Sequence, residues 1–154
     1  MKKILNIFIF SIIAFLMTSC SLNGEEIGRL KINEPSHGEN IIIKEVTIPL
    51  DKEDKISFWT EMDVIYEDQV SIRFKVEILK DNQPYGGLEI DPFQKKVTIG
   101  ETKTEINGTT TWSFTGKNAS LSIHEDGEYT FRGILVTSTN ETLKIDKADV
   151  IIKK

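Results

Sequence analysis

The chain has 154 residues, 28% charged and 39% hydrophobic, which is the composition of a folded domain with a short leader rather than of a disordered chain. Its net charge of −5 opposes a nucleic-acid partner, which needs a basic footprint, and equally opposes a polybasic grip on anionic lipid. One cysteine, Cys20, excludes any internal disulfide.

Met1-Lys2-Lys3 is a basic start, and residues 4–17 are apolar apart from Asn6 and Ser11. Fourteen helical residues would span about 21 Å, short of a hydrocarbon core of about 30 Å. The run has no polar face, so it reads as a secretory signal peptide rather than a core helix. Losing residues 1–19 removes Lys2 and Lys3 and no acid. That leaves 17 basic side chains against 24 acidic ones, a net −7.

"LMTSC", Leu16 to Cys20, resembles the lipobox of bacterial lipoproteins, with Met17 where leucine is more usual. The resemblance implies a diacylglycerol on the Cys20 thiol and cleavage just before it, so that the membrane is a partner through Cys20. Two chains suffice for stable attachment where one does not, at about 0.8 kcal/mol per buried CH₂. In enteric-type lipoproteins an aspartate after the cysteine marks inner-membrane retention, so Ser21 implies the outer membrane. Glu25 and Glu26 loosely resemble the acidic export signal of surface-exposed lipoproteins, with a different spacing. Residues 20–39 carry Gly24, Gly28, Pro35 and Gly38 among polar residues. They read as a tether, interrupted by a short edge strand near Ile27 to Ile32. As a flexible coil this tether would hold the domain about 25 Å from the anchor.

From residue 40 onward the pattern has period two, with no helical stripe. Ile41 to Leu50 is the first strand. Ile56, Phe58, Met62, Val64 and Tyr66 share one face of the next, with Trp59, Glu61 and Asp63 on the other. Val70, Ile72, Phe74, Val76 and Ile78 share a face of "QVSIRFKVEILK". The two runs flank Glu67-Asp68-Gln69 and read as a hairpin. Its register sets Met62 opposite Phe74, Val64 opposite Ile72, Glu61 opposite Lys75 and Asp63 opposite Arg73. "PYGGLEI" reads as a turn at Pro84 and Gly86-Gly87 followed by a strand through Leu88 and Ile90. Short strands follow at Val97 and Ile99, at Trp112 and Phe114, and at Ala119 to Ile123. Tyr129 to Val136 and Leu143 to Ile152 complete the series, and a phase change at Asp146-Lys147 marks a bulge in the last strand.

Turn signals every 8–12 residues or so indicate an all-β sandwich or, as the alternative, a small β-barrel. "EDGEYTF", Glu125 to Phe131, resembles the tyrosine corner of immunoglobulin-like sandwiches. That resemblance implies an immunoglobulin-like antiparallel sandwich over residues 40–154. The Tyr129 hydroxyl would bond back to the chain, and Phe131 would pack in the core where antibody domains carry a cysteine.

Chemistry-bearing residues are sparse. His37 and His124 lie far apart and give no metal-ligand spacing, and thiolates for zinc are absent from the fold. Carboxylates alternate with core residues beside basic neighbours, as on a solvated sheet face, although "DKEDK" and "EDGE" have the oxygen ligands that calcium takes. No cofactor and no enzymatic activity are expected. Trp59, outward on a charged face, and Tyr85, in the Pro-Tyr-Gly-Gly turn, are the candidate ligand-binding aromatics, suited to stacking on sugar or anchoring a protein interface. The expected function is a noncatalytic envelope lipoprotein that binds a protein or glycan partner in adhesion or envelope assembly. The alternative is an inhibitor or immunity protein against an envelope-acting toxin or hydrolase.

Overall fold

The computed structural model describes residues 24–154; the expected signal peptide over residues 1–19, Cys20 and Ser21 lie outside the described residues. Nine strands follow one another: β1 (Glu26–Lys31), β2 (Lys44–Leu50), β3 (Lys55–Glu67), β4 (Ile72–Lys80), β5 (Gln83–Ile90), β6 (Val97–Ile106), β7 (Thr109–Ser122), β8 (Gly127–Thr137) and β9 (Lys144–Lys153). They form two open antiparallel sheets, a five-stranded one ordered β1-β9-β3-β7-β6 and a four-stranded one ordered β2-β8-β4-β5. The fold is an all-β sandwich and not a closed barrel.

The alternating faces come out as the sequence indicates. Ile56, Phe58, Met62 and Val64 of β3 and Ile72, Phe74, Val76 and Ile78 of β4 are all buried. Their partnership does not. β3 pairs with β7 and β9, whereas β4 pairs with β5 and β8. The segment around Glu67-Asp68-Gln69 therefore crosses from one sheet to the other, and no hairpin forms. Met62 stands beside Phe114 and Ala148, and Val64 beside Trp112 and Ile145. The two apolar faces belong to opposite sheets of one core. Glu61 pairs with Arg29 and Lys147, and Arg73 with Asp91 and Glu89, so neither expected cross-strand charge pair exists.

Other details separate in the same way. The bulge in β9 is present: Asp63 faces Lys147 and Val64 faces Ile145, leaving Asp146 over. The turn before β5 is Asp81-Asn82, with φ of 49° and 64°, as a two-residue hairpin turn demands. Gly86 and Gly87 lie inside β5, not in a turn. Strands expected separately around Phe114 and Leu121 are one strand, β7, with Asn118 as the extra residue at a bulge. The Asn118 side chain accepts from Thr60 Oγ1 at 2.9 Å and donates to the carbonyls of Asp91 and Gln94, which ties down the β5–β6 connection.

The sandwich also begins well before residue 40. β1 pairs with β9, Leu30 and Ile32 are 1% and 0% exposed, and Ser36 donates its amide to Leu135 O at 2.7 Å. Residues 24–36 are thus part of the domain and not a tether. At the corner leading into β8, the Tyr129 hydroxyl donates to Glu125 O at 2.8 Å. Two residues on, Phe131 is fully buried and meets Phe58 edge to face at 5.8 Å.

Candidate functional site

Trp59 does point away from the second sheet, but it is not an exposed platform. Its register neighbours are Ile151 on β9 and Lys117 on β7. Lys153 Nζ lies 4.7 Å from the ring centroid, Nε1 donates to Ser57 Oγ at 3.0 Å, and only 3% of the residue reaches solvent. Outward is not the same as exposed where long lysine stems lie across the sheet. Trp59 instead helps floor a groove of about 460 Å³, walled by Lys55, Lys117, Lys154 and the serines 57, 120 and 122.

Tyr85 is likewise not free. It is the extra residue of a bulge in β5, because Leu79 faces Pro84 while Ile78 faces Gly86. Its ring stands edge-on to Tyr129, with centroids 5.2 Å apart at 88°. Burial, with the Tyr85 side chain alongside, pushes the Tyr129 hydroxyl up to about 12.

The histidines are separated by the length of β8. His37 lies near Thr137 and Ser138, and its backbone bridges to Asn40. His124 sits exposed at the opposite corner. The acidic loops spend their oxygens on their own turns. Asp54 receives the Asp51 amide at 2.9 Å and pairs with Lys154 at 2.7 Å, and Asp126 receives the Lys52 amide. These contacts hold the Asp54 carboxyl below its ordinary range, the hydrogen bond from Lys154 most of all. Among the described residues no cluster of three histidine, cysteine or acidic side chains is arranged to hold a metal.

The largest ordered charge cluster lies on the outer face of the five-stranded sheet. Arg29 donates to Glu26 at 2.7 and 2.8 Å, to Glu61 at 2.6 Å and to Asp149 at 2.7 Å, while Lys147 holds the other Glu61 oxygen at 2.9 Å. The Arg29 hydrogen bonds are the main reason that the Glu26 and Glu61 carboxyls sit below the ordinary glutamate range. Every carboxylate here is committed to a cation, so the cluster joins three strands and leaves no free acid–base pair for catalysis.

The second groove was not anticipated. It lies on the outer face of the four-stranded sheet, has a volume of about 690 Å³ and is lined by Ile41, Ile43, Leu88, Ile134 and the Gly86-Gly87 pair. The register orders it. Lys75 stands between Glu89 and Ile134, and Glu77 between Gly87 and Arg132. Arg132 pairs with Glu45 at 3.0 Å on β2. A Cβ at Gly87 would stand 3.0 Å from Val76 O, so glycine permits the close approach of β5 to β4 at the floor of the trough. Ile41 and Ile43, 52% and 55% exposed, form its apolar lip. The signal in the sequence was Ile41-Ile42-Ile43: three consecutive isoleucines cannot all face one core in an extended chain.

No protein-family model matches the chain, and no curated protein matches it significantly.

Proposed function

We propose that this is an envelope-anchored lipoprotein, lipidated at Cys20 and carried to the outer membrane, whose sandwich is a noncatalytic binding module for a protein partner. The observation that carries this reading is the pair of half-exposed isoleucines, Ile41 and Ile43, beside the glycine trough on an otherwise charged sheet face. A concentrated apolar patch rimmed by charge is the usual mark of a protein contact surface. Lys75, Glu77, Glu89 and Arg132 supply both signs at the rim, which suits a partner segment with apolar residues between charged ones. A glycan is less well served: Trp59 is buried, and Tyr85 is engaged with Tyr129.

The immunoglobulin-like reading of the sandwich belongs to the same proposal. It is supported by the Tyr129 corner hydrogen bond and by the inner strands, since β3-β7-β6 and β4-β8 follow the order of strands B-E-D and C-F. The edges differ. β9 takes the place beside β3 where strand A would lie, and β2 takes the place beside β8 where strand G would lie.

A photo-crosslinking residue at Ile43 identifies the partner in cells, and affinity is then measured with the purified pair. Ile43→Asp is expected to weaken binding at least about tenfold, the equivalent of about 1.4 kcal/mol; unchanged affinity removes the groove from the proposal. Labelled palmitate tests the anchor: Cys20→Ser should abolish the label and release the protein from membranes.

A further inference from the structure

The start of the sandwich, the end of the chain and the lysine-walled groove coincide. Glu25 and Lys154 exchange two backbone hydrogen bonds of 2.9 Å, and Gly24 and Lys154 both line the groove floored by Trp59. Only residues 21–23 separate Gly24 from Cys20. Four covalent steps reach at most about 14 Å. Given the lipid anchor proposed above, on which this inference rests, the groove is held at the membrane surface and not about 25 Å above it.

The strand register lays out the face of that groove. One row across β9, β3 and β7 reads Lys153, Ser57, Ser120; the next reads Ile151, Trp59, Lys117, with Val97 beyond on β6; Lys55 stands beside Ser122 at the rim. Lys55, Lys117 and Lys153 make no ion pair with a carboxylate among the described residues. Lys154 is neutralised by Asp54. Two lining lysines without an ion pair, Lys55 and Lys117, around serine hydroxyls and with an apolar Trp59-Val97-Leu121 side, match a phosphate that carries hydrocarbon; Lys153, opposite Glu26 and over the Trp59 ring, stands beside the groove. Of the acids at this end of the molecule, Asp54 is committed to Lys154 and Glu26 to Arg29, and none pairs with Lys55 or Lys117 among the described residues.

We propose that this groove binds the phosphate headgroup of an anionic phospholipid in the leaflet that holds the Cys20 acyl chains, laying the five-stranded sheet toward the bilayer. The net acidic charge of the domain opposes a diffuse electrostatic grip, so the contact is local, one headgroup in one groove.

Amine-reactive footprinting read by mass spectrometry tests this on the membrane-extracted protein. One arm reconstitutes it into vesicles of phosphatidylcholine with or without phosphatidylglycerol. A second adds soluble dihexanoyl-phosphatidylglycerol, and a third adds inorganic phosphate alone. Labelling of Lys55, Lys117 and Lys153 should slow about fivefold with either phosphatidylglycerol at about four times its Kd, while Lys44 and Lys144 at the far end stay unchanged. Lys117→Gln with Lys55→Gln should restore the labelling of Lys153. Equal labelling in both vesicle types overturns the proposal, as does equal protection of Lys52 and Lys80, which would report proximity alone. Protection by inorganic phosphate to the same degree replaces the lipid with a free anion. The mass of the Cys20 peptide from the same sample reports the anchor separately, and the soluble-lipid arm reads the groove whether or not acyl chains are present.

Discussion

Replacing Arg29 with methionine should be the most costly single change on the outer surface of the sandwich. Methionine keeps most of the aliphatic stem and removes the guanidinium. Asp149 is the reason for the cost: its side chain is 4% exposed, Arg29 is its only ion-pair partner among the described residues, and its Oδ1 already has no hydrogen-bond partner. Breaking a buried pair from one side typically costs about 3–5 kcal/mol. Arg29 is itself 25% exposed, so water can enter the vacated space and reduce that figure. Glu26 is too exposed to add much, and Glu61 keeps Lys147. The expected loss is about 2–3 kcal/mol, or a fall in Tm of about 10 °C for a domain of this size. Urea denaturation with thermal melts measures it. Adding Asp149→Asn should recover much of the loss, because the stranded charge is then gone. The pH dependence gives a second reading. Arg29 holds the Glu26 and Glu61 carboxyls below their ordinary value near 4.5 in the folded state, so on acidification the unfolded chain takes up their protons first. Their contribution is complete above about pH 4.5 and disappears as the pH falls through the lower folded values. Wild-type and Arg29→Met curves should therefore lie furthest apart at neutral pH and converge in acid. A loss below about 1 kcal/mol at pH 7, or no recovery on adding Asp149→Asn, would refute the buried-charge argument.

Ile32→Ala should cost about 2–4 kcal/mol in the same melts, because the side chain is fully buried in the core; a silent substitution would return residues 24–36 to a tether. Tyr129→Phe leaves the Glu125 carbonyl without its donor and should cost about 1–2 kcal/mol, with a change below about 0.3 counting against the corner bond. In a spectrophotometric titration Tyr129 should ionise last, near 12, as its neutral form is the one favoured by burial. Its contribution to stability is accordingly complete below about pH 10 and lost as the pH rises toward that value.

Alternation in β3 and β4 tells which side chains face a core, and both faces read correctly from it. It carries no information on which strand lies alongside. Two strands facing each other across a sandwich show the same period as two strands in a hairpin, and the opposite charges at Glu61 and Lys75 were compatible with the wrong answer. The bulge at Asp146 was legible because a strand with one buried face must change phase there. The corner at Tyr129 was legible because a short turn places its own residues. Trp59 was misread for the converse reason: its direction follows from period two, but its burial depends on Lys153 and Ile151, which lie about 90 residues away in the chain. Asn107-Gly108, with φ of 51° and 84°, is a strong hairpin signal that joins β6 and β7. The Ile41 groove needs three separate segments brought together, and no local pattern states that.

The exchange of edge strands has a consequence for how such a molecule would work at a surface. Because β9 returns beside β1 and not beside β8, Glu25 and Lys154 are bonded to each other at one end of the five-stranded sheet. β2 runs from Lys44 at the far end toward Leu50 at that same end, so Ile41 and Ile43 precede it at the far end and on the other sheet. The lysine groove and the isoleucine groove thus lie on opposite faces and toward opposite ends of one rigid core. A lipid held at the first would leave the second pointing away from the bilayer, so that attachment and partner binding do not compete for surface. Partner affinity should accordingly be the same for the protein in detergent and in phosphatidylglycerol vesicles. A drop in affinity on reconstitution would mean that the two grooves share a face with the membrane, contrary to the strand order described above.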